Sequence, residues 1–205
     1  VEISAGSAAT GQEGTERERR LIEVCRAAGM RLIRPNCLGI LNTTGEHRFN
    51  ATFGPGSPPA GSIGFVTQSG ALGLALIDLA SDRSLGVSSF ASIGNRADIT
   101  ANDLLEYWEG DQATEVALLY IESFSDPRRF SRVARRVGRE MPIVVVKSGR
   151  SAAGQRATSS HTGALIAASD VTADALFDQA GVIRTESLAE LLDVASLLAN
   201  QPLPQ

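Results

Sequence analysis

The apolar positions of this chain change their period along its length, and the changes divide it into elements. Between residues 15 and 28, Leu21, Ile22, Val24, Cys25 and Ala28 recur at helical spacing, and Gly29 stands where such a helix would end. Short apolar runs at 1–4 and 31–33 read as strands on either side of it. The turn Pro35-Asn36-Cys37-Leu38-Gly39 cannot extend the second strand, because proline has no N–H to give a ladder. From 43 to 60 the periodicity is lost and Gly54-Pro55-Gly56-Ser57-Pro58-Pro59 accumulates, which predicts a linker without an element of its own.

Beyond residue 60 the period alternates between two and 3.6. Strands are predicted over 62–67, 87–92, 116–121, 143–147 and 182–184. Helices are predicted over 71–82, 102–109, 127–140, about 169–179 and 188–200, with a long connection running from 147 through 160. Strand and helix in strict alternation make an α/β protein, and five such units predict a flavodoxin-like doubly wound parallel sheet of strand order 2-1-3-4-5. The expected organisation is therefore one domain ending at 42, a Gly/Pro-rich linker over 43–60, and the doubly wound domain over 61–205. Leu72, Leu74, Leu76, Ile77 and Leu79 on its first helix read as sheet-packing core.

Composition narrows the class. With 205 residues, 43% hydrophobic, 20% charged and 20 glycines, the chain lacks the bias of a collagenous, disordered or disulfide-stapled protein. No run approaches the roughly 18–20 apolar residues of a membrane span, and the first residues carry no basic segment ahead of an apolar one, so a cytoplasmic location without a membrane partner is expected. Val1 stands in place of Met inside an expected strand, which reads as a segment of a longer polypeptide. Cys25 and Cys37 have no CxxC spacing, so no metal site and no disulfide framework are expected. Lys147 is the single lysine among 19 basic residues, and the net charge of -4 argues against a nucleic-acid groove.

Ligands of doubly wound sheets bind beyond the carboxyl ends of the strands, and the unusual residues of this sequence fall there. Thr67-Gln68-Ser69-Gly70-Ala71 turns from the first strand directly into a helix, offering the free N–H groups and positive dipole end that suit a phosphate. A serine cap with a permissive glycine explains the same residues without a ligand. Glu122 follows the third strand, either as a solvated residue or as a carboxylate seeking a donor. In the long connection, Ser159-Ser160-His161-Thr162-Gly163-Ala164 sets an imidazole among small donors where a helix is about to begin. The strand order places Glu122 between the Ser69-Gly70 turn and the His161 loop, where it could fix the imidazole tautomer. His47, in the Gly/Pro-rich stretch, reads as a surface residue. A serine hydrolase built on Ser69 and His161 is disfavoured because Thr67 and Ala71 stand where a nucleophile elbow needs glycine. A flavin-binding flavodoxin is disfavoured as well, because the turn lacks a run of Ser and Thr.

Four strings, Arg34-Pro35-Asn36-Cys37-Leu38-Gly39, Val66-Thr67-Gln68-Ser69-Gly70-Ala71, Gly94-Asn95-Arg96-Ala97-Asp98 and Ser159-Ser160-His161-Thr162-Gly163-Ala164, resemble in order and spacing the NDP-forming acyl-CoA synthetases, relatives of the succinyl-CoA synthetase α subunit. The resemblance covers essentially the whole chain. It implies that 1–42 is the tail of a CoA-binding Rossmann domain, with Asn36 and Cys37 near CoA or substrate. It implies further that His161 is a phosphohistidine, that Glu122 holds its ring, and that Ser69, Gly70 and Ala71 together with Thr162 and Gly163 cradle phosphate. The implied reaction joins acetate or another small carboxylic acid to coenzyme A at the expense of ATP, giving ADP and phosphate through an acyl phosphate. The implied partners are an ATP-grasp domain or subunit carrying Mg²⁺, the N-terminal CoA-binding segment, and further copies in an oligomer. Where family members often carry lysine, this sequence has Arg96, which keeps the charge and changes its geometry. The alternative from another class is a regulatory module that senses acyl-CoA or metabolites, fused to a GNAT-type lysine acetyltransferase.

Overall fold

The computed structural model describes residues 11–33, 36–148 and 170–201. Its strands are β1 (Gly39–Asn42), β2 (Phe49–Thr52), β3 (Ala60–Thr67), β4 (Val87–Ser92), β5 (Val116–Ile121), β6 (Ile143–Lys147) and β7 (Ile183–Thr185). β5 and β6 are buried along their whole length, as unbroken apolar runs require when helices cover both faces of a parallel sheet. All seven strands form one sheet in the order β2-β1-β4-β3-β5-β6-β7. The five from β3 onward are parallel and follow the expected 2-1-3-4-5 order. The point where strand order reverses therefore lies between β3 and β5.

The described helices are α1 (Gln12–Ala27), α2 (Gly70–Asp82), α3 (Ala101–Glu109), α4 (Pro127–Val137), α5 (Asp170–Ala180) and α6 (Leu188–Asn200). One face of the sheet is covered by α2 and α6 through Leu76, Ile77, Ala80, Leu191, Leu192 and Ala195. The other is covered by α3, α4 and α5, whose Trp108, Phe130 and Phe177 are among the largest fully buried side chains. Capping residues start these helices where the sequence supplies them: Ser69, Asp126 and Ser187 each accept a backbone N–H of the first turn. Pro127 stands at the first position of α4, where its missing N–H is harmless. The Trp108 indole crosses β3 at Gly64 and donates to Ser89 Oγ at 2.8 Å. A Cβ at residue 64 would fall 2.6 Å from Trp108 Cε2 and 2.8 Å from Thr114 Cγ2, so the close approach requires glycine.

Several expectations are corrected. The stretch 43–60 is not without elements. β1 and β2 form an antiparallel hairpin that pairs Gly39 with Thr52 and Asn42 with Phe49, and β1 adds antiparallel to the edge of β4. The alternation that specifies β2 is short, and the Gly/Pro cluster beside it conceals the signal. Residues 31–33 do not form a strand, because their backbone is spent elsewhere: the Leu32 N–H goes to Asp98 and its carbonyl accepts from Ile99 N–H at 3.2 Å. α4 stops at Val137 with Gly138 as its cap, short of the expected residue 140. On α2, Leu76 and Ile77 are core, Leu72 and Leu74 are only partly covered, and Leu79 is exposed. The expected strand at 1–4 and the connection holding His161, Thr162 and Gly163 lie outside the described residues.

Asp98 joins the segment before β1 to the sheet. Its side chain is fully buried and accepts from Arg26 Nη2 at 2.6 Å, Arg31 Nε at 3.0 Å and the Leu32 N–H at 2.8 Å. Burial alone would push the Asp98 carboxyl up, but the bonds from Arg31, Leu32 and Arg26 outweigh it and hold the group at about 2. This one carboxylate fixes the end of α1 and residues 31–33 against the β4–α3 loop.

Candidate functional site

The site is built where β3 and β5 diverge. Thr67 is fully buried, and its hydroxyl accepts from the Ser69 N–H at 3.1 Å and donates to the Ser69 carbonyl at 2.9 Å, which forces the chain to turn immediately after β3. Ser69 then caps α2 by accepting from Leu72 N–H at 3.4 Å. Gly70 and Ala71 lead the helix, and N–H groups at that position have no carbonyl a turn earlier to bond. No acidic residue occupies the first turn of α2, so its positive end is not neutralised from within the helix.

Gln68 carries the geometry across to β5. Its Oε1 accepts from the N–H groups of Glu122 at 2.8 Å and Ser123 at 3.1 Å, and its Nε2 donates to the Ser123 carbonyl at 2.9 Å. Arg96, at φ 58° in the loop after β4, donates from its guanidinium to the same Ser123 carbonyl. Burial lowers the Arg96 pKa, and the charge of Glu122 opposes that shift, so the guanidinium and the carboxylate sense one another. Burial likewise raises the Tyr120 phenol, with the Glu122 charge adding to it. The turn bearing Glu122 is thus gripped by a buried amide from one strand end and a guanidinium from another.

A cavity of about 390 Å³ opens at this edge of the sheet. Ser69, Gly70, Ala71 and Glu122 line it together with Asn36 and Cys37, so the structure brings together six of the residues that the sequence singled out. The loop 36–38 reaches the site by passing over the start of α2: a Cβ at Gly70 would lie 3.4 Å from Leu38 N. The Leu38 N–H donates to buried Ser92 Oγ at 2.9 Å, and Cys37 Sγ lies 3.7 Å from the Ile33 carbonyl. The structure makes no statement on His161, Thr162 and Gly163, which lie outside the described residues. His47 is exposed in the β1–β2 connection, as expected.

Sequence reasoning passed over Gln68, Asn95, Phe53, Leu38 and Leu74, all of which line the cavity. Gln68 and Asn95 stood inside the quoted motifs, and their polarity next to buried strand ends was the available signal. Phe53 gave none, because its place depends on a hairpin that the sequence did not reveal. A larger hollow of about 640 Å³ opens elsewhere, against Trp108, Glu109, Asp111 and Glu115, beside the segment that enters β5. It lies at the amino edge of the parallel strands, opposite to where such sheets bind ligands. Among the described residues no group of three or more His, Cys, Asp or Glu side chains is arranged to hold a metal, and no helix is long and apolar enough to cross a membrane.

Comparison with known proteins agrees with this architecture. The profile described as "Succinyl-CoA ligase like flavodoxin domain" matches residues 60–198. The chain is 43% identical over 203 residues to the α subunit of acetate–CoA ligase [ADP-forming] I from Pyrococcus furiosus, covering 99% of this chain and 43% of that protein. It is 46% identical over 198 residues to acetate–CoA ligase [ADP-forming] I from Archaeoglobus fulgidus, covering 97% of this chain and 28% of that one. A solved structure of dinucleotide-forming acetyl-coenzyme A synthetase 1 from Ca. Korarchaeum cryptofilum, in complex with phosphate and ADP, superimposes with a TM-score of 0.89 at 36% identity, covering 99% of this chain and 43% of that chain. The chain thus spans less than half the length of the relatives it matches. With its doubly wound sheet, its strand order and a profile match over most of its length, the chain belongs to the family of succinyl-CoA ligase-like flavodoxin domains.

Proposed function

We propose that this chain is the phosphoryl-handling part of an NDP-forming acyl-CoA synthetase, which converts a small carboxylic acid, coenzyme A and ATP into acyl-CoA, ADP and phosphate. One observation carries the reading: the start of α2, the Glu122 turn and the loop 36–38 converge on a single cavity at the switch point of the sheet. Phosphoryl transfer asks little covalent work of a protein beyond an in-line nucleophile and fixed positive dipoles around the equatorial oxygens. The N–H groups of Gly70 and Ala71 supply such dipoles, and Ser69 holds the helix that presents them.

In this reading His161 is the nucleophile. Its ring nitrogen takes the γ-phosphoryl group of ATP, forming an N–P bond as the bond to ADP breaks. The carboxylate of the substrate then takes the group from the histidine, forming an acyl phosphate and freeing the imidazole. The thiol of coenzyme A attacks the acyl carbon, phosphate leaves, and the thiol proton ends on phosphate or solvent. Glu122 accepts from the other ring nitrogen and fixes the tautomer, while Gln68 and Arg96 keep Glu122 in place. Thr162 and Gly163 join Ser69, Gly70 and Ala71 around the phosphate, and Asn36 and Cys37 border the acyl and thiol groups. An ATP-grasp domain or subunit with its Mg²⁺ supplies the nucleotide site, in the cytoplasm, where these substrates are held.

The test is phosphorylation of the polypeptide carrying this chain by acetyl phosphate, and by ATP with the ATP-grasp partner, read by intact mass. An acid-labile gain of one phosphoryl group that is lost in His161→Ala is the expected result. No phosphoryl gain from either donor, with the partner shown to bind, overturns the reading.

A further inference from the structure

We propose that the apolar side of the cavity is an acyl-chain subsite, in which Phe53, Leu38 and Leu74 bound the hydrocarbon part of the carboxylic acid and set its permitted length. The proposal rests on the phosphoryl-transfer reading above. The lining of the cavity divides by chemistry: Gln68, Ser69, Asn95 and Glu122 make a polar side, and Leu38, Phe53 and Leu74 make an apolar one. A carboxylate being phosphorylated belongs with the dipoles of α2, which leaves the rest of the molecule against the leucines and the ring. Glu122 is the only charged residue among the described lining residues.

The apolar side is held by the sheet rather than by a loose loop. β1 and β2 pair over four residues each, and the Phe53 N–H continues the ladder by donating to the Leu38 carbonyl at 3.0 Å. The residue after Phe53 lies against Leu74: a Cβ at residue 54 would fall 2.5 Å from Leu74 Cδ1. Leu38 is buried against the start of α2. Phe53 is 54% exposed, so its ring can be removed or enlarged without opening a hole in the buried core.

The experiment measures kcat/KM of the assembled ligase, with its ATP-grasp partner, for acetate, butanoate and hexanoate at saturating coenzyme A and ATP. In Phe53→Ala the ratio of hexanoate to acetate should rise by about tenfold or more, carried by KM for the acid, and in Phe53→Trp the ratio should fall. An unchanged ratio in both variants overturns the subsite. So does a loss equal for all three acids, and so does a rise in KM for coenzyme A common to all three, which would assign the wall to the thiol substrate. Phosphorylation of the unsubstituted protein by ATP is read separately: its failure removes the underlying reading, whereas its success with unchanged ratios removes only the subsite.

Discussion

Replacing Asp98 with asparagine keeps the size of the side chain and one acceptor for the Leu32 N–H while removing the charge that Arg26 and Arg31 share. The carboxyl is held at about 2 against an ordinary 3.8. A difference of that size is worth about 2 kcal/mol of folding stability at neutral pH. Both guanidinium groups are more than half exposed, so each returns to water when the carboxylate goes and no buried charge is stranded. The loss should therefore stay near that figure and lower the melting temperature by about 4–8 °C for a chain of this length. A carboxyl depressed in the folded state stabilises at every pH above its unfolded value and loses that contribution as pH falls through its folded value. The stability gap between the native protein and Asp98→Asn should thus be constant above about pH 5, shrink to about half near pH 3 and vanish below about pH 2. Urea unfolding followed by circular dichroism at pH 7, 5, 4 and 3 measures the gap directly. A gap below about 0.5 kcal/mol at pH 7, or one of equal size at pH 3, would refute the argument that Asp98 is an ionised anchor. The same variant frees residues 31–33 and with them the approach of Asn36 and Cys37 to α2, so KM for ligands of the cavity should rise as well.

Gln68→Leu strands the N–H groups of Glu122 and Ser123 and should cost about 1–3 kcal/mol in stability. On the proposed reading it should also slow phosphorylation of His161 in single-turnover assays, whereas a purely structural role would leave that rate intact in the folded fraction. Gly64→Ala drives a methyl into the Trp108 indole and should destabilise by about 1–3 kcal/mol, with a shifted tryptophan emission maximum that a distant effect would not produce. Ser69→Ala removes a capping bond that is already long at 3.4 Å, so denaturant titration should show a loss of only about 0.5–1 kcal/mol. A larger loss would mean that the serine does more than cap the helix.

What was legible in the sequence followed from local periodicity. β5 and β6 are short unbroken apolar runs, and helices such as α3 and α4 carry a 3.6-residue stripe, so the parallel core could be read from the sequence, with its strand order the usual one for five such units. The positions of Ser69, Gly70 and Glu122 followed from that order, because the carboxyl edge of a doubly wound sheet is where functional residues gather. The hairpin β1–β2 was not legible, since four-residue strands beside a Gly/Pro cluster carry almost no periodic signal, and β1 is specified by pairing with β4 across about fifty residues of sequence. Asp98 was legible as part of a motif but not as an anchor, because its partners lie 66 to 72 residues away.

These two blind spots meet at the cavity. Asp98 fixes the segment that delivers Asn36 and Leu38, the hairpin delivers Phe53, and Leu38 is bonded through its backbone to both Ser92 and Phe53. The polar side of the cavity is thus made by the turns that follow β3, β4 and β5, whereas Leu38 and Phe53 on its apolar side come from segments outside the parallel strands. A division of that kind lets the two sides change independently. Substitutions at Phe53 or Leu74 should alter which acid is accepted and leave the dipoles of α2 and the grip on Glu122 as they are, because no hydrogen bond of the Gln68 and Arg96 network passes through either residue.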